Sequence, residues 1–170
     1  MKKWFVFFVA ILFLTACGGN EQASSKKINV TVKEYEGRIT QALKEMGDKT
    51  NLKLISNEVN DDGVNVITLS EDIIIFVESK DDRVTKASLG MTSTAYLSTK
   101  EDFDFALRLL VGTVDDSLSF ADRDKVLKDL GLFNETVFAE DHTKVVTNKD
   151  VMYTYKGSLK ENFILQAEYK

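Results

Sequence analysis

The 170 residues carry 27 acidic and 22 basic side chains, a net charge of −5 and a sequence pI near 5.0. That balance argues against a nucleic-acid partner, which needs a basic surface to neutralise phosphates. A single cysteine rules out an internal disulfide, and one histidine beside it cannot supply the usual zinc ligand set.

Met1-Lys2-Lys3 is a short positive start, and Trp4 to Leu14 is an unbroken run of eleven apolar residues followed by Thr15, Ala16 and Cys17. A positive start, a short apolar core and small residues before a cut site form a secretory signal. The run is too short to span a bilayer as a helix, which takes about 20 apolar residues. Leu14-Thr15-Ala16-Cys17 resembles the lipobox of bacterial lipoproteins: a leucine, two small or polar residues, then cysteine. The resemblance implies a signal peptide over residues 1–16, diacylglyceryl transfer to the Cys17 sulfur and a mature chain that begins at Cys17. It also implies a cell-membrane location on the extracytoplasmic side, held by acyl chains such as palmitate. Each buried methylene contributes about 0.8 kcal/mol, so two chains hold where one does not. A lipidated Cys17 has no redox or nucleophilic chemistry left.

Cleavage there takes away sixteen residues and two lysines, leaving 154 residues with 20 basic and 27 acidic side chains. Residues 17–27 then comprise the lipidated cysteine and a polar Gly/Ser-containing tether, Gly18 to Lys27, with an end-to-end distance of about 17 Å. Residues 28–170 suit one globular domain with one core. They contain no proline, so no prolyl isomerisation slows refolding outside the cell.

Thr31 to Met46 reads as a helix. Thr31-Val32-Lys33-Glu34 fits a capping box, Gly47 stands at the stop, and Val32, Tyr35, Ile39, Ala42, Leu43 and Met46 fall on one stripe. Strands follow over Leu52 to Val59 and Val64 to Leu69, joined by the turn signal Asn60-Asp61-Asp62-Gly63. Asp72 to Glu78 is apolar throughout its middle, which predicts a central strand covered on both faces. After Asp81-Asp82, the segment Arg83 to Met91 alternates Thr85, Ala87, Leu89 and Met91 against Lys86, Ser88 and Gly90.

Ser98-Thr99-Lys100-Glu101 fits a second capping box and opens a helix through Val114 whose apolar residues cover most of its circumference. It is the predicted buried helix. Ser119 to Asp122 caps another helix through Leu130, stopped by Gly131 with Leu132 beyond it. Phe133 to His142 reads as irregular. Strands are predicted over Thr143 to Thr147, Val151 to Lys156 and Asn162 to Tyr169, with turns at 148–150 and 157–158. The order α-βββ(β)-αα-βββ predicts an α+β fold of two layers: an antiparallel sheet with helices on one face. It also suggests a helix-plus-meander repeat without repeated residues.

Reactive groups are few. His142, the one histidine, lies in a predicted loop, and no Gly-x-Ser-x-Gly turn presents a nucleophile. Glu58, Asn60 and Asp62 alternate like a calcium loop, but Leu69 stands where the bidentate glutamate belongs, and a hairpin turn explains the stretch better. Asp115-Asp116 and Asp122-Arg123-Asp124 flank helix ends, where Asp122 and Asp124 favour the dipole; a weak calcium site there is the lesser alternative. Tyr153, Tyr155 and Tyr169 are expected to face the core with their hydroxyls at its rim, the alternative being an exposed aromatic face. Val114 to Leu132 resembles a segment of small uncharacterised lipoproteins of Gram-positive bacteria, a resemblance that carries no functional residues.

The expectation is therefore a non-catalytic, monomeric binding module at the cell surface, without cofactor or metal. Its contacts would be the membrane, through Cys17, and a protein or envelope partner. The alternatives are a small-molecule-binding lipoprotein and an exclusion factor against phage or conjugation.

Overall fold

The computed structural model describes residues 30–170, so Leu14, Thr15, Ala16, Cys17 and the tether lie outside the described residues. The described chain is α+β. Its seven-stranded antiparallel sheet contains β1 (Ser56–Val59), β2 (Asn65–Ser70), β3 (Ile73–Lys80), β4 (Arg83–Met91), β5 (His142–Asn148), β6 (Val151–Gly157) and β7 (Phe163–Tyr169). The spatial order is β1-β2-β3-β4-β7-β6-β5. Two meanders thus meet through their last strands, and Leu89 sits opposite Leu165 at the seam. The turns β1–β2, β3–β4 and β5–β6 share one end of the sheet, called here the upper end.

Helix α1 (Val32–Met46) starts at that end. Thr31 accepts from the Glu34 amide at 3.1 Å and the Glu34 carboxylate accepts from the Thr31 amide at 2.7 Å, which is the predicted capping box. Tyr35 and Ile39 are fully buried, and the rest of the stripe is half-buried. Gly47 adopts φ +51°, a conformation that disfavours side chains, and turns the chain away. The segment before β1 does not reach full strand geometry: only Lys53 and Ile55 reach β2 through their amides, so the strand is shorter than the predicted Leu52 to Val59.

Strand β3 departs from its prediction. Ile73, Ile75 and Val77 are fully buried, whereas Ile74 is half-buried and Phe76 is 39% exposed. The helices cover one side of the sheet only, so the apolar residues on the other side face outward. A bulge corrects the alternation of β4. Glu78 pairs with Lys86 and Ser79 with Val84, so Thr85 is left over and turns outward while Val84 takes the inward place.

Ser98 does not cap the buried helix. It ends a short helix that the sequence pattern misses, α2 (Ser93–Ser98), whose own cap is Thr92. Thr99 stands at the junction, its hydroxyl donating to the Ala95 carbonyl, and α3 (Lys100–Val114) begins after it. Phe103, Ala106, Leu107, Leu110 and Val111 of α3 are buried, and the helix lies over β4 and β7. Helix α4 (Phe120–Asp129) has the predicted box between Ser119 and Asp122. The Leu132 amide donates to the Leu127 carbonyl and the Gly131 amide to that of Lys128, with Gly131 at φ +85°. This is the paired bonding of a glycine-stopped helix. The expected irregular stretch contains α5 (Thr136–Ala139), formed because Phe138 inserts among Tyr96, Phe103 and Phe163 at ring distances of 4.8–5.8 Å.

The lower end of α3 is tied by Asp102, which is 4% exposed. Its carboxylate accepts from the Thr50 hydroxyl at 2.7 Å, the Asn51 amide at 2.9 Å and the Asn51 side chain at 3.1 Å. Burial alone would push this carboxyl up, but the bonds from Thr50 and Asn51 outweigh it and hold it below the ordinary range. A depressed folded-state pKa means that the clamp stabilises above the unfolded value and is lost as pH falls through the folded one. Asp102→Ala is expected to destabilise by about 1–3 kcal/mol at neutral pH, with the gap to wild type closing below about pH 4 in urea titrations. Leu110→Ala, at a fully buried position, is expected to lose about 2–5 kcal/mol by the same measurement.

Candidate functional site

The helical layer is not closed on its outer side. Helices α1 and α3 run antiparallel, α4 begins beside the end of α3, and between them lies a groove of about 720 Å³. Phe105, Leu109 and Gly112 of α3 form its floor with Ala42 of α1, while Phe120 of α4, 66% exposed, stands at its edge. A concave surface of this size with an apolar floor and a few placed polar groups is the usual form of a ligand site.

Three arginines reach this region, and two are spoken for. Arg38 donates through Nη1 to the Thr113 and Val114 carbonyls at 2.9 and 3.4 Å, and its Nη2 pairs with Asp116 at 2.9 Å. It bridges α1 to the last turn of α3 and closes the upper end of the groove. Arg108 pairs through Nε with Asp124 at 2.9 Å and lies 5.8 and 5.7 Å from the Phe120 and Phe133 rings. Arg123 differs. Its Nε donates to the Leu118 carbonyl at 3.1 Å, and it has no carboxylate partner among the described residues. Its guanidinium rests on Gly112, where an added Cβ would come within 2.6 Å of Cζ and Nη1.

Of the carboxylates, histidine and tyrosines singled out from the sequence, Asp116 lines the groove and the others fall elsewhere. Asn60 Oδ1 accepts from the Asp62 and Val64 amides, which makes that stretch the hairpin turn it was expected to be. Asp115 is buried and accepts from Ser117 and Lys149, Asp122 serves the α4 cap, and Asp116 and Asp124 pair with arginines. Among the described residues no group of three or more His, Cys, Asp or Glu is placed to hold a metal ion. His142 is not in a loop: it opens β5, half-buried, with Nε2 3.1 Å from the Leu130 carbonyl.

The tyrosines face the core, as expected, but the rim is wrong for two of them. Tyr153 and Tyr155 are fully buried and their hydroxyls have no hydrogen-bond partner among the described residues; burial pushes both phenols well above the ordinary range. Tyr169 alone keeps a rim position, donating to the Val114 carbonyl at 2.8 Å.

Arg38, Arg108, Arg123 and the floor of the groove were not picked out by sequence reasoning. One local signal existed. A glycine inside a strongly helical run costs about 1 kcal/mol against alanine, and Gly112 therefore marks a close approach. A second depression of about 450 Å³ lies on the uncovered sheet face, where Ile74, Phe76 and Ile164 surround Gly90. Among the described residues no helix is long and apolar enough to cross a membrane.

Comparison with protein-family models, with curated proteins and with solved structures gave no match. His142→Ala removes one half-buried hydrogen bond outside the groove's lining and is expected to lower stability by about 0.5–1.5 kcal/mol in thermal melts, with no change in anything bound between α1 and α3.

Proposed function

We propose that this chain is a lipid-anchored, extracytoplasmic binding module without catalytic activity, attached to the cell membrane through Cys17. The observation that carries the reading is the Leu14-Thr15-Ala16-Cys17 motif behind its apolar run. The geometry of the domain is compatible with such an anchor. Thr31 bridges to Arg83, and the Val32 amide bonds the Asp82 carbonyl, so the chain enters at the upper end of the sheet beside the β3–β4 turn. A tether leaving there holds the domain by one end, and the groove between α1, α3 and α4 opens sideways. The net acidic balance of the chain gives the folded domain no electrostatic reason to lie on anionic lipid.

A monomer fits the sheet edges. Strand β1 has only four residues, and β5 carries Lys144 in mid-strand on the side of the helices, two devices that discourage edge pairing. Of the binding readings, a small ligand is favoured over a flat protein contact by the concave, apolar-floored groove. Metabolic labelling with a clickable fatty acid tests the anchor: wild type is expected to be labelled and Cys17→Ser to remain an unlabelled precursor. Equal labelling of the two would contradict the assignment.

A further inference from the structure

We propose that the groove takes a long-chain carboxylate, head group first, and that Arg123 receives the head; this deepens the binding reading above and rests on it. The Arg123 side chain is fixed at two points, through Nε on the Leu118 carbonyl and through its planar face on Gly112, and Nη1 and Nη2 have no protein acceptor among the described residues. A guanidinium held in place has already lost most of its rotamer freedom, so little further ordering opposes a bidentate bond to an anion. The fork geometry of the two terminal nitrogens matches a carboxylate.

The surroundings select the charge and the shape. Arg38 and Arg108 are neutralised by Asp116 and Asp124, which leaves one uncompensated guanidinium at this end of the groove. Glu45, Lys49 and Glu101 line the other end, so at the Gly112 end the guanidinium of Arg123, without a carboxylate partner, suits a singly charged head. The bridge from Arg38 to α3 shuts the upper end, so a ligand enters from the side or from below rather than threading through. From Thr113 back to Glu101 the α3 wall is about 18 Å long at 1.5 Å per residue, and Leu109, Phe105, Ala42 and Met46 give it an apolar lining. A charged head near Gly112 with an apolar tail running down this wall meets both conditions.

Gly112 supplies a test that separates position from folding. Alanine at this site favours the helix, but its Cβ would displace the Arg123 guanidinium, the far end of a flexible side chain. Full-length acylated protein in phosphatidylcholine vesicles is photolabelled with a diazirine-bearing palmitate analogue. Labelled peptides are mapped, and palmitate and hexadecanol are compared as competitors. Labelling is expected on α1 and α3, with hexadecanol competing at least about tenfold less well than palmitate. Arg123→Gln and Gly112→Ala are each expected to weaken labelling about tenfold to a hundredfold, while the melting temperature of Gly112→Ala does not fall. Equal competition by the alcohol, or wild-type labelling in both variants, would overturn the role of Arg123 and leave an apolar groove standing. Absence of label from α1 and α3 in wild type would overturn the groove as a ligand site, with the Cys17 anchor still tested separately by fatty-acid labelling.

Discussion

Burial of α3 against the seam between β4 and β7 is the constraint on which the other elements depend. The helix lies over the one place where the two meanders touch, so its apolar side covers residues from both. Phe103 and Phe163 stack edge to face at 5.2 Å there, and Leu110 is sealed from solvent. A helix with that much apolar circumference cannot sit on a surface by one stripe. It needs cover on its flanks, and α1 and α4 supply it. Their imperfect closure over α3 leaves the groove.

A helix this deep is also tied at both ends, and at its C-terminal end carbonyls that no internal bond can reach find partners. At its start Asp102, in the first turn, favours the dipole and binds the Thr50–Asn51 segment that leads from α1 into β1. At its end the Thr113 and Val114 carbonyls accept from Arg38, and Val114 accepts from Tyr169 as well. Arg38 therefore does two things at once. It completes the last turn of α3, with its positive charge at the negative end of the dipole, and it forms the closed wall of the groove. Fold and candidate site share that side chain, and α3 presents core on one side and groove floor on the other.

Local features of this fold were legible in the sequence and distant ones were not. Thr31 with Glu34 and Ser119 with Asp122 form caps that act within four residues, and both appear as read. Period-two alternation placed most strand residues on their proper faces until the bulge beside Thr85 reversed it. The Ser98 box misled because Thr92 caps a helix just upstream, and a run of four residues cannot tell which helix its serine belongs to. The apolar middle of β3 reads the same whether its outer face is covered or merely greasy, and only the placement of the helices decides. The groove was beyond reach for a plainer reason. Arg38 meets Thr113 across 75 residues, and Arg123 meets Gly112 across a helix-to-helix turn, so neither contact leaves a periodic trace.

The claim that α3 couples both meanders into one unit is open to native-state hydrogen exchange read residue by residue. The amides of Leu110 and Val111 in α3 are expected to exchange only through global unfolding, at the same free energy as Leu89 in β4 and Leu165 in β7. Exchange of the α3 amides through a lower-energy opening, with β4 and β7 still protected, would contradict the account. The helix would then be a cover over a self-sufficient sheet rather than the element that joins its halves.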